Sequence, residues 1–364
     1  MISTIDFYVT RTFLSGYLIL MAVGLGLYLL GDSLVNIDEF TQDPNLSAGE
    51  VLTLIADFYG AQVPLFYSQL AGPVMAVAAA FALAVMLRNN ELTALLAAGM
   101  PLQRLVAPLT IGAVVLVGVW VANREWVIPS LAHKIARTHD DVVGTRTEAI
   151  QCARDQHNAI LSAARFLPRE GRLERVYIVE PDASGRPRGL IAAEQADWDP
   201  QRRTWRLQRG RRIMQALATA GELGEAARDT PVAEYSFGLS PEELVLRRGA
   251  QWSNLMSLKE LNSLLRQPNL VNRASLDMSR HLFVTQPLVQ LILVLLTIPH
   301  FLTREPANIF AAGGRALLMA GAFFLTTFMV EGLARSDQHA ALFTWAPLAV
   351  FGGLAVVRVA NVKT

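Results

Sequence analysis

The sequence predicts a membrane α-helical protein, six transmembrane helices in a three-plus-three arrangement, with a periplasmic all-β, jelly-roll-like domain inserted between the halves. Three observations carry this. Of the 364 residues, 52% are apolar and only 17% charged, whereas soluble domains run nearer one-quarter charged. The charge is also unevenly placed, because residues 124–280 hold 24 basic and 20 acidic side chains while long windows elsewhere hold none. Within that charged stretch, short β-like runs alternate with turn residues.

A helix needs about 20 residues to cross a hydrocarbon core of roughly 30 Å. Uncharged runs of that order occur at 12–31, 58–87, 105–123, 282–303 and 340–357. The fifth span in chain order, 309–330, is weaker. It reaches length only if Arg315 lies near the membrane edge, where its cationic head snorkels to water. The first run is too long for a signal-peptide core, and no small-residue cleavage site follows it. Pro64, Pro73, Pro287 and Pro299 fall inside these spans, where neighbouring helices can satisfy the freed carbonyls.

Lysine and arginine in short loops set the orientation. With a cytoplasmic N-terminus, the inner segments carry Arg11, Arg88, Arg104, Arg304, Arg315, Arg358 and Lys363, and the outer short loops carry only Arg335. Both termini are therefore expected on the cytoplasmic side of a bacterial inner membrane, with the large domain exported to the periplasm. The first outer loop, residues 32–57, is purely acidic.

The expected division is a first membrane half over 1–123, the β domain over 124–281 and a second membrane half over 282–364. Runs at 159–166, 175–180, 189–196, 204–208 and 233–237 read as strands, with turn chemistry at 181–187 and 199–201. Trp205 and Leu207 alternate with Arg206 and Gln208, as in a strand with one buried face. At 257–267 leucines recur at helical spacing behind Ser257 and Glu260, a capping box.

Catalytic chemistry is sparse. The chain has no P-loop, HExxH, GxSxG or CxxC, and its six histidines lack ligand spacing, so an enzyme is not expected and no cofactor is assigned to this chain. Its single cysteine, Cys152, excludes an intrachain disulfide and reads as a buried thiol rather than a nucleophile for His157. The net charge of +1 gives no argument for nucleic acid.

The loop 88–104, RNNELTALLAAGMPLQR, reads as a short helix over 89–99. Asn89 or Asn90 can cap it, Glu91 suits the positive end of the dipole, and Gly99 with Pro101 ends it. Leu92, Leu95 and Leu96 form an apolar ridge. Two readings stand side by side: a connector lying on the bilayer, or a coupling helix that plugs into a separate ATPase. Two readings also stand for the arginines at 202, 203, 206, 209, 211 and 212, a solvated strand face or a contact with anionic lipid or a partner. Arg124, Arg280 and Arg335 are expected near the outer membrane face, as snorkelling anchors or as contacts for an anionic headgroup.

With three spans, a β domain and three more spans, the chain resembles the LptF/LptG (YjgP/YjgQ) family of lipopolysaccharide export permeases. The likeness covers nearly the whole length. ELTALLAAG at 91–99 is similar to the family's coupling-helix motif, with Glu91 and Gly99 at its ends. IAAEQADWDPQRRTWRLQRG at 191–210 resembles its hairpin, LSPEEL at 239–244 and MSLKEL at 256–261 its end-of-domain signature, and Trp345-Ala346-Pro347 a feature of its last span.

The resemblance implies a permease subunit of an ABC-type exporter. It would pair with a second permease chain of the family and a cytoplasmic ATPase dimer that uses the ATP. It would extract lipopolysaccharide from the inner membrane and pass it through its β-jelly roll to periplasmic jelly-roll bridge proteins. The lipid cavity would lie between the first and fifth spans of both permeases. The acidic loop at 32–57 departs from members with basic residues there, which moves headgroup recognition elsewhere. The rival class is a non-transporting membrane scaffold or sensor whose β domain binds a partner.

Overall fold

The computed structural model describes residues 4–41, 47–136, 148–155, 159–168, 170–181, 187–214, 228–247, 252–266, 273–302, 308–334 and 340–362. Among them, six helices are long and apolar enough to cross a membrane. The first half contains α1 (Thr4–Val35), the single turn α2 (Ile37–Phe40), α3 (Ala48–Arg88) and α4 (Glu91–Ala97). Its third span is composite: a 3-10 turn (Leu102–Leu105), α5 (Val106–Ala122), a π turn (Asn123–Val127) and α6 (Ile128–Ile135). After the β domain come α7 (Pro241–Arg247), α8 (Leu258–Leu265), α9 (Arg273–Thr297), α10 (Ile309–Ala334) and α11 (Ala340–Ala360).

Several helices outrun their apolar stretches. At 1.5 Å per residue α1 is about 48 Å long and α3 about 60 Å, both beyond the hydrocarbon thickness. Hydropathy marks only the part that needs lipid, while helical hydrogen bonding continues past it. At the start of α3, Ser47 and Glu50 form a capping box, the Ser47 N–H donating to Glu50 Oε2 at 2.8 Å. There Phe40, Phe58 and Tyr59 make an aromatic cluster, and the Tyr59 hydroxyl donates to Asp32 at 2.8 Å, joining the last turn of α1 to the first third of α3.

The bundle core sits where α1, α3, α5 and α9 meet, around Phe13, Met75, Leu83, Leu109, Trp120 and Val294. The other faces of α1 and α10 expose Leu18, Leu27 and Leu34, and Phe310, Leu318 and Phe328, each by more than 60%. Such large apolar faces are tolerable only against lipid or another chain. Several polar links between spans run from side chains to backbone carbonyls. Trp120 Nε1–H donates to the Ser68 carbonyl at 2.9 Å, Asn123 Nδ2–H to Pro64 at 2.9 Å and Gln62 Nε2–H to Ile135 at 3.2 Å.

Among the described residues the middle region forms one antiparallel sheet of eight strands: β1 (Glu148–Arg154), β2 (Ile160–Leu167), β3 (Arg172–Pro181), β4 (Pro187–Asp199), β5 (Thr204–Gln208), β6 (Arg211–Met214), β7 (Arg228–Pro231) and β8 (Glu234–Tyr235). Strands β1 to β4 follow one another as a meander. The second half of β4 pairs with β5 and the first half with β6, in one register, so β5 and β6 are two parts of a single strand. The interruption is Arg209–Gly210. Arg209 has φ +53°, and a Cβ on Gly210 would lie 2.3 Å from the Val232 carbonyl oxygen, so only glycine lets the two chains approach.

Alternation sorts the sheet into two faces. Trp205 and Leu207 point inward with Phe166, Leu173, Val176 and Ile191, and Trp205 Nε1–H donates to the Leu239 carbonyl at 3.0 Å. The β4–β5 turn is built on Asp199, whose carboxylate accepts from the Gln201 and Arg202 N–H groups, an Asx turn. The expected strand runs lie on β2, β3, β4, β5 and the β8 end. Strands β1, β6 and β7 went unforeseen, because EAIQCAR, RRIM and RDTP are too short or too charged to show alternation.

Asp197 accepts from Arg172 Nε–H at 2.8 Å, from Gln195 and from Gln208. Partial burial pushes its carboxyl up, and these bonds more than offset that, holding it below the ordinary carboxylate value. Its stabilising contribution is therefore complete above the unfolded pKa near 4 and lost as pH falls through the lower folded value. The thermal midpoint of the solubilised chain should drop as pH falls below about 4, and Asp197→Asn should flatten that dependence. Trp205→Ala should cost about 3–5 kcal/mol, read as faster proteolysis within 148–235 while the spans stay protected.

Candidate functional site

The α4 helix closes the bundle at the end where α1 begins and α11 finishes. The hydroxyl of Tyr8, near the start of α1, donates to Glu91 Oε1 at 3.0 Å, and Asn89 Nδ2–H donates to the same oxygen at 3.1 Å. Gln103 Nε2–H bridges to the carbonyls of Ala360 and Val362 at 3.1 and 3.0 Å. Asn90 occupies the N-cap position with φ +57° and makes no side-chain capping bond. The glutamate thus holds the turn from within, and neither asparagine caps it in the ordinary way.

The helix ends as its sequence requires. Gly99 has φ +74°; its N–H donates to the Leu96 carbonyl at 2.9 Å and that of Met100 to Leu95 at 3.0 Å. These two bonds define a Schellman stop. Pro101 follows and prevents continuation.

The leucine ridge faces inward. Leu92 is 2% exposed and belongs to the same core as Met86, Leu102 and Leu105, with Leu95 and Leu96 packed partly buried against it. The expectation that Leu92 and Leu95 fill a groove on a partner is corrected for Leu92, which has no surface left to offer. A two-turn helix is marginal unless it packs on something, and here it packs on its own bundle. The face it leaves outward carries Thr93, Ala94, Ala97, Ala98 and Gly99. Small side chains there allow another surface to approach the backbone closely, while the buried ridge fixes α4 rigidly to the spans.

The arginines expected at the opposite membrane face have different surroundings. Arg124 sits in the π turn, 8% exposed. Its Nη1–H donates to the Asn254 carbonyl, and its guanidinium lies 5.9 Å over the Phe283 ring. Beside it Glu125 accepts from the Leu258 N–H at 2.9 Å, adding to the capping box that starts α8. The π turn therefore clamps the chain returning from the β domain, a role that sequence spacing did not reveal. Arg280 lies on α9 within one turn of Phe283 and pairs with Asp277 at 2.6 Å. Arg335 lies outside the described residues.

The arginine stripe, which runs from the β4–β5 turn along β5 into β6, is largely matched within the sheet. Arg202 pairs with Glu234 at 2.8 Å, Arg209 with Glu194 at 2.9 Å, Arg212 with Glu180 at 2.9 Å, and Arg206 with Asp199. These carboxylates leave a solvated, ion-paired face. Cys152 is exposed rather than buried, because the irregular β1 edge puts it at φ +53°; His157 lies outside the described residues. Among the described residues no group of three or more His, Cys, Asp and Glu side chains is placed to hold a metal ion. Leu92→Ala should cost about 2–5 kcal/mol and be read as faster hydrogen exchange of the amides of 91–98, with the sheet unaffected.

Among curated proteins none matches the chain. The model of the family described as lipopolysaccharide export system permease LptF/LptG matches residues 7–361. Six membrane-crossing helices, a β domain between the third and fourth of them, and a match spanning nearly the whole length give one conclusion: this chain belongs to the LptF/LptG family of lipopolysaccharide export permeases.

Proposed function

We propose that the chain is one permease subunit of an ATP-driven lipopolysaccharide exporter, working beside a second permease chain of the family and a separate cytoplasmic ATPase dimer that binds and hydrolyses the ATP. The α4 end faces the cytoplasm, as the placement of Arg11, Arg88, Arg104 and Arg358 supports. The β domain then lies in the periplasm, where its sheet passes the lipid to jelly-roll bridge proteins. The exposed apolar faces of α1 and α10 suit a cavity shared with the second permease. Arg280 and Arg335 remain the candidates for headgroup contact; Arg124 has its guanidinium engaged by Asn254 and Phe283.

The observation that carries the reading is the construction of α4. It is a short helix on a span-connecting loop, bonded to α1 through Tyr8–Glu91, locked into the core by Leu92 and open on a face of small residues. A partner pressing on that face would move α1 and α3 together, because the leucines transmit load without slack. Coupling by rigid contact asks for this division of labour: contact outside, anchorage inside. Glu91 is the positioning residue, since its carboxylate ties α4 to α1.

Glu91→Lys removes the acceptor for Tyr8 and places a cation at the positive end of the α4 dipole. In proteoliposomes holding both permeases and the ATPase, lipid release should fall at least tenfold while ATP hydrolysis persists. Release at the parental rate would refute the assignment of α4 as the coupling element.

A further inference from the structure

Between α8 and the first half of α9 lies a cleft of about 540 Å³, lined by Asn262, Arg266, Arg273, Asp277 and Arg280. Arg273 and Arg280 are seven residues apart, two helical turns, and so share a face of α9. Arg266 closes the C-terminal end of α8 and joins them from the other wall. Three guanidinium groups meet one carboxylate. Asp277 is bound to Arg280 and lies 3.5 Å from His281, and among the described residues the guanidinium groups of Arg266 and Arg273 make no hydrogen bond or ion pair.

The position of the cleft selects its ligand. The apolar run of α9 begins at Leu282, two residues after Arg280, so the cleft sits at the depth where hydrocarbon gives way to headgroups. A basic surface that only anchored a span would spread its side chains around the helix toward water. Here two helices aim them into one concavity, where unpaired like charges repel unless an anion joins them. Guanidinium offers five N–H donors in a planar fork that matches phosphate oxygens, and Asn262 adds an uncharged side-chain amide at the rim.

We propose that this cleft is a binding site for a phosphate-bearing group, the phosphorylated headgroup of a membrane amphiphile or free phosphate. The permease reading supplies only a source for such a headgroup. The site itself rests on the arginines, so a failure of α4 coupling would leave the binding measurement unchanged.

The test uses the full chain in neutral-detergent micelles, titrated calorimetrically in two arms: micelles doped with phosphatidic acid, and plain micelles with inorganic phosphate. Saturable binding in the first arm alone assigns the headgroup, and binding in both assigns the phosphate itself. In either case Arg266→Gln with Arg273→Gln should weaken binding at least tenfold, and Arg266→Lys with Arg273→Lys should fall between, keeping charge but losing the fork. Arg202→Gln, on the ion-paired sheet face, should bind as the parent. Both arginines are exposed, and circular dichroism checks that each variant is folded; the lysine pair stands in should the glutamine pair unfold. No saturable binding in either arm, binding indifferent to both double substitutions, or equal weakening by Arg202→Gln would overturn the proposal.

Discussion

The structure depends on how buried backbone carbonyls are satisfied where water is excluded. Helices close most of these groups internally, which is why the spans are helical at all. Several cross-links between spans use long side chains as donors and carbonyls of a neighbouring span as acceptors: Trp120 to Ser68, Asn123 to Pro64, Gln62 to Ile135, Gln103 to Ala360 and Val362. None of these links needs a buried charge. Each joins elements far apart in sequence, so together they fix the bundle more specifically than apolar packing alone, whose partners are interchangeable in lipid.

The two ends of the bundle solve different problems. At the α4 end the loop between two spans must be held still, and the chain does so with a short helix stopped by a Schellman turn and sealed by leucines. At the β-domain end a large insertion must leave and rejoin the membrane without loosening it. Arg124 and Glu125 on adjacent residues grip the returning chain at Asn254 and Leu258, and Ser253 with Ser279 adds a buried hydroxyl pair at 2.9 Å. The departing and returning strands of the insertion are thereby held together at its base.

Much of this was legible in the sequence, for identifiable reasons. Long apolar runs have one stable outcome in lipid, so the six spans could be read from composition. Ser257 with Glu260 signalled the start of α8, and Gly99 with Pro101 the end of α4, because capping chemistry is local. The direction of the leucine ridge was not legible: a helix of seven residues shows which side is apolar but not what covers it. The clamp at Arg124 was hidden for the same reason, since its partners lie 130 and 159 positions away in the chain. The sequence left the arginine stripe open between a solvated face and a contact surface, because its carboxylates come from Glu180, Glu194, Asp199 and Glu234, spread over three strands and invisible to any linear window.

The π turn has a geometric consequence for the third span. Trp120, Arg124, Ile128 and Ala132 are all buried, at successive steps of four. In an uninterrupted α-helix each such step advances the azimuth by roughly 40°, so the last of them would have swung about a third of a circle from the first. The wider turn at Asn123–Val127 absorbs that drift and keeps the inward stripe in line. Lys134, on the distal segment, pairs with Asp57 of α3 at 2.6 Å; shortening the turn by one residue would preserve hydrophobic length yet rotate that segment like a misaligned key and carry Lys134 away from its partner.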